Sequence, residues 1–220
     1  MFFERIPLQE ISTLSILVPL VMSLPVLRTG ALSLRLFFLF LLTGLATDGL
    51  GWWVAYHHDH WLYLQYAFTL YSCLESLFFL WFIGHHAKAK TLRRLARALF
   101  VATVIWFLYV FLIEGAGSGE TSHSYFDPVY LLTVSFLAGF ALLQLVETEA
   151  FITPLPVFWL QTGIFFYGFS TFFIFMVKLI VGPELAGKIW FLHNLINITT
   201  YGLYTVGFWK AYVARQAEQP

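Results

Sequence analysis

Long apolar runs separated by short polar punctuation dominate this chain. A helix rising ~1.5 Å per residue needs roughly 20 mostly apolar residues to cross ~30 Å of hydrocarbon. By that measure the runs fall at about 10–27, 36–56, 61–84, 95–113, 128–146, 155–177 and 189–209. They are apolar all round and lack the period-two alternation of barrel strands. Between them lie Arg28-Thr29-Gly30, His57-His58-Asp59-His60, a glycine-rich stretch from Gly115 to Gly119, Pro154-Leu155-Pro156 and Gly182-Pro183. The pattern predicts an all-α polytopic membrane protein, one seven-helix domain over residues 1–220. Pro19 and Pro25 make the first span the weakest, because each proline removes a backbone donor and kinks its helix.

Composition sharpens this picture. Of the 220 residues 60% are hydrophobic and 11% charged, against about 25% charged in an ordinary soluble domain. Too few charges are present to cover the surface in water, so lipid must cover it. The formal net charge of +0 gives no basic face for nucleic acid. Cys73 lies alone in an apolar run, so no disulfide framework is expected. The first ten residues, with Glu4, Arg5 and Glu10, lack the basic start of a cleavable signal, so the first span should be retained.

Lysine and arginine positions set an orientation. With the N-terminus outside and the C-terminus cytoplasmic, Arg28, Arg35, Lys88, Lys90, Arg93, Arg94, Arg97, Lys210 and Arg215 lie inside. That is nine of the 12 basic residues; Arg5, Lys178 and Lys188 stay outside. Trp52, Trp53, Tyr56, Trp61, Tyr63 and Trp190 then form an outer interfacial belt, and Trp81, Trp159 and Trp209 an inner one. The connecting loops and the tail are too short for a soluble domain. Chemistry or signal must sit in the bundle or pass to a protein partner at the cytoplasmic face.

A charge at the bilayer centre costs roughly 2.5–3.5 kcal/mol on insertion scales, which draws attention to Asp48 and Glu75. Counted from the outer ends, Glu75 lies ~9 Å deeper than Asp48, which argues against a close acid pair. Asp48 shares a face with Gly44, Thr47 and Gly51. Helical spacing aligns Gln65, Thr69, Ser72 and Ser76 on the third span, and His193, Asn197, Thr200 and Tyr204 on the seventh. Lipid offers these groups no hydrogen bonds, so both stripes should face the bundle interior. Asp48 and Asn197 come out at similar depth, which suggests an outward-opening polar pocket built by spans two, three and seven. The candidate ligand-binding set is therefore Asp48, Gln65, Thr69, Glu75, His193, Asn197, Thr200 and Tyr204. Polar side chains on buried faces also serve simply as interhelical contacts, at about 0.6–2 kcal/mol each.

The run His57-His58-Asp59-His60 carries zinc-type donors, with His123 or His193 as further ligands. Adjacent side chains on a tight turn rarely converge on a tetrahedral ion, so it reads as a solvated turn, and no metal or cofactor is expected. No lysine sits deep in the last span to hold retinal, and no pair of mid-span histidines is present to hold haem.

The two stripes superimpose with a shift of 128 residues, Gln65 onto His193 through Ser76 onto Tyr204. This is compatible with three helices, an inverting fourth and three more, a transporter pattern. Tyr71-Ser72-Cys73-Leu74-Glu75 and His193-Asn194-Leu195-Ile196-Asn197 resemble segments of short seven-helix membrane proteins of Bacteroidetes with no assigned activity. That resemblance implies a bacterial inner membrane and no particular substrate. Three functions are expected in this order: a sensor or receptor-like module binding a small or lipid-soluble ligand in the outer half and signalling through a partner; a small-solute transporter with an intramembrane carboxylate; and a structural subunit of a larger complex. An intramembrane enzyme is the least supported, because no nucleophile stands in an identifiable constellation.

Overall fold

The computed structural model describes residues 8–27, 31–57, 61–114, 122–181 and 183–218. Its elements are α1 (Leu8–Ser15), α2 (Leu17–Leu27), α3 (Leu32–His57), α4 (Trp61–His86), α5 (Lys90–Tyr109), a π-helical turn (Val110–Glu114), α6 (Ser122–Thr148), α7 (Pro156–Val181) and α8 (Pro183–Glu218). The described residues form an all-α polytopic bundle. Segments α1 and α2 make one rod interrupted at Ile16. Pro19 explains the break, since its missing N–H leaves the Ser15 carbonyl without its helical partner. Pro25 lies inside α2 and does not end it.

Among the described residues six helices are long and apolar enough to cross a membrane: Leu8–Leu27, Leu32–Val54, Tyr63–His86, Lys90–Leu112, Phe126–Thr148 and Pro156–Ile180. They make this an integral membrane protein. Among the described residues α8, expected as the seventh span, falls outside that set. Its 36 residues are long enough, but His193, Asn194, Asn197 and Thr200 line an internal cavity and lower its mean hydropathy. Proline at the first position of α8 fits the first turn of a helix, where a donor is dispensable. The histidine turn at 58–60 lies outside the described residues, as does 115–121.

Six of the seven rods close a ring: α1/α2 packs on α3 and α8, α3 on α4, α4 on α6, α6 on α7 and α7 on α8. The fourth rod, α5, sits outside against α4 and, more lightly, α6. Exchanging the first three rods with the last three leaves these ring neighbours unchanged. Lipid is as apolar as leucine, so close packing and interhelical hydrogen bonds hold such a ring together. Glycines permit the close approaches. A Cβ on Gly168 of α7 would stand 2.6 Å from Ser135 Oγ of α6. One on Gly84 would stand 3.0 Å from the Ala96 Cβ of α5.

An aromatic cluster fills one half of the ring. Phe37 is fully buried and meets Phe78, Phe82, Tyr204 and Phe208 edge-on, with ring centroids 5.2, 5.2, 4.8 and 5.8 Å away. Aromatic pairs prefer such edge-to-face geometry, and each adds about 0.5–1.5 kcal/mol beyond its area. The cluster lies where α3 begins and α4 and α8 approach their C-terminal ends. The other half of the ring holds the polar groups.

Candidate functional site

A cavity of about 250 Å³ opens between α1, α3, α4, α7 and α8. Asp48 and Glu75 both line it, together with His193, Asn197, Thr200 and Tyr204. The two carboxylates, placed apart by their depth in the sequence, thus share one chamber. Gln65 is exposed and absent from the cavity wall, and Thr69 is buried outside it. Gln9, Ser12 and Thr13 of α1, with Tyr71, Tyr167 and Tyr201, complete its polar surface.

Glu75 is 4% exposed and lies within a cage of tyrosines. Tyr130 donates a hydrogen bond to Glu75 Oε2, and the hydroxyls of Tyr167 and Tyr71 are hydrogen-bonded to the same carboxyl group. The donors come from α6, α7 and α4, so one side chain joins three helices. An unpaired carboxyl at this depth would be costly, and the three hydroxyls supply the compensation. Tyr71 reaches this place because Gly44 on α3 has no side chain. A Cβ there would stand 3.2 Å from the Tyr71 hydroxyl and 3.3 Å from Ile16 Cδ1.

Asp48 is more open. Its carboxylate accepts a hydrogen bond from Thr13 of α1, and Thr47 beside it lines the same wall. On α8, Asn197 Nδ2 lies 3.3 Å from His193 Nε2 one turn earlier. Deeper in, Thr200 and Tyr204 are each 2% exposed. Their hydroxyl oxygens have no hydrogen-bond partner among the described residues. The Tyr204 ring is clamped by Gly163 of α7, where a Cβ would stand 2.5 Å from Tyr204 Cε1.

The polar stripe of α4 divides its work. Ser72 donates to Asp127 Oδ1 of α6 at 3.0 Å, and Ser76 returns its hydroxyl to the Cys73 carbonyl at 3.0 Å. Near the opposite end, Ala89 N–H donates to Gln144 Oε1 at 3.0 Å. An ion pair of 2.8 Å joins Lys88 to Glu149. Ser72 therefore faces the seam with α6, while Tyr71 and Glu75 turn to the cavity.

Sequence periodicity identified α4 and α8 as polar-faced, with Tyr204 on the latter, but missed Tyr71, Tyr130, Tyr167, Tyr201 and α1. Tyr71 stands four residues before Glu75, and Tyr201 four after Asn197. Those spacings were the available signal for the cage. Among the described residues no group of three His, Cys, Asp or Glu side chains is placed to hold a metal. His57 ends α3 and His123 lies in α6; the remainder of the histidine turn is outside the described residues. Comparison with protein families, with curated proteins and with solved structures finds no match to this chain.

Proposed function

We propose that this protein is a small-solute transporter whose substrate site is the acid-lined cavity between the two three-helix halves of the ring. The observation that carries this reading is the cavity wall, to which α1, α3 and α4 of one half and α7 and α8 of the other all contribute. A site at the interface of two halves can change its side of access when one half rocks against the other. The aromatic cluster around Phe37 acts as the closed gate beneath it. Arg35, Lys88, Lys90, Arg94 and Arg97 lie at the gate end, and an excess of basic residues favours the cytoplasmic side. The protein then sits in a cytoplasmic membrane with its N-terminus outside and the cavity facing out.

A sensor shares the same binding step and adds a protein partner at the basic face. The place of the cavity between the two halves, with walls from both, favours transport. Proteoliposomes are incubated with a mixture of small solutes, washed, and their contents measured by mass spectrometry. Wild-type vesicles should accumulate at least one solute that vesicles containing Asp48→Asn do not. Identical contents in both would contradict transport through this cavity.

A further inference from the structure

We propose that the ligand of the cavity is a small organic cation, an amine or quaternary ammonium compound. This rests on reading the cavity as the substrate site. Two acidic side chains line it, and among the described residues no lysine or arginine does. In a chamber of low dielectric a positive guest can pair with these acids, whereas a carboxylate or phosphate would meet no opposite charge among the described lining residues.

The two acids have different tasks. Tyr71, Tyr130 and Tyr167 take three of the roughly four acceptor positions of Glu75, so Glu75 holds helices together. Asp48, with Thr13 as its hydrogen-bond donor, keeps lone pairs for a ligand N–H or a close ammonium contact. Phe40, Phe68, Tyr71 and Tyr201 also line the wall, and aromatic faces attract ammonium groups. The buried hydroxyls of Thr200 and Tyr204, without partners among the described residues, form a second polar station further in. A ligand with a cationic head and one hydroxyl or amine end would meet both stations.

Size limits the guest. A cavity of 150 Å³ holds benzene, so about 250 Å³ takes roughly ten non-hydrogen atoms. Purified protein in detergent should be titrated by calorimetry with choline, tetramethylammonium and butylammonium. Its comparison ligands are 3,3-dimethylbutan-1-ol, the uncharged shape analogue of choline, and butyrate. At least one cation should bind, about tenfold or more tighter than the neutral alcohol, with butyrate silent. Asp48→Asn should weaken that binding at least about tenfold and Asp48→Glu by less than about threefold, with melting temperatures showing both variants folded.

The assignment is overturned if no cation binds up to about 10 mM, if the alcohol binds as well, or if Asp48→Asn binds like the wild type. The transport reading fails separately. Cation binding without solute accumulation in vesicles removes transport and keeps the ligand class, whereas accumulation of a neutral solute does the reverse.

Discussion

Glu75 on α4 and Tyr130 on α6 are joined by a hydrogen bond from phenol to carboxyl, and they stand 55 residues apart. Ser72 and Asp127, and Ala89 and Gln144, are bonded at the same separation of 55. A constant offset means two parallel helices in fixed register. The rungs run from Ser72 within α4 to Ala89, three residues beyond its end. In the ring, α4 belongs to one half and α6 to the other. These rungs therefore tie the two halves together along this seam.

Removing one rung should cost what an interhelical hydrogen bond in a membrane contributes. Tyr130→Phe should lower stability by about 0.6–1.7 kcal/mol, measured by unfolding in mixed micelles. Glu75→Ala should cost more than that, because it strands three hydroxyls at once. An effect of Glu75→Ala no larger than that of Tyr130→Phe would mean that Tyr71 and Tyr167 do not depend on the carboxyl.

Gly163→Ala tests the clamp on Tyr204. The new methyl meets the ring at 2.5 Å, and overpacking of this kind costs roughly 1–3 kcal/mol. The Tyr204 hydroxyl should shift, and ligand affinity should fall with it. Gly202→Ala on α8 is the control, since a Cβ there meets nothing within 4 Å. Equal melting temperatures for the two variants would show that the clamp is slack.

The Lys88–Glu149 ion pair closes the gate end of the tied seam. Its side chains are 51% and 35% exposed, so solvent screens it and its contribution is about 0–1 kcal/mol. Lys88→Ala should therefore raise the population open at that end by about fivefold at most. Thiol labelling of a cysteine placed at the Phe37 cluster would read this out. A change of a hundredfold would mean that the pair, rather than the aromatic packing, keeps the gate shut.

Phe37→Leu tests the gate itself. Phe37 touches four other rings of the cluster from α4 and α8. Shrinking it removes these edge-to-face contacts and leaves a void, at a cost of roughly 1–3 kcal/mol. The variant should leak small cations into vesicles in which the wild type is tight. A tight variant would place the barrier elsewhere.

The bundle was legible in the sequence because bilayer thickness sets the length of each apolar run. Its all-α class and the six apolar helices follow from that one constraint. The first helix was harder: Pro19 and Pro25 suggested kinks, whereas the chain breaks at Ile16, one residue beyond the carbonyl that Pro19 cannot serve. Within the site, the depths of Asp48 and Asn197 anticipated a shared pocket, and both line one. The facing of α4 was less readable. Periodicity shows that Ser72 and Ser76 point inward but not toward which neighbour, and in a ring each helix has two flanking neighbours and a central space. Gln65 lies on the exposed surface for the same reason. Tyr204 was read as part of the site, but Tyr71, Tyr130, Tyr167 and Tyr201 escaped notice because an amphipathic ring suits a membrane interface as well as a buried cage.

The most direct test of the transport account is the sidedness of the cavity. Asn197→Cys, in a chain whose Cys73 is replaced by alanine, is labelled in sealed vesicles with a membrane-impermeant thiol reagent. Transport predicts labelling from the side where α1 begins and also, more slowly, from the side where α8 ends. Labelling confined to the α1 side under every condition, with the cavity still binding its ligand, would contradict alternating access and leave a sensor.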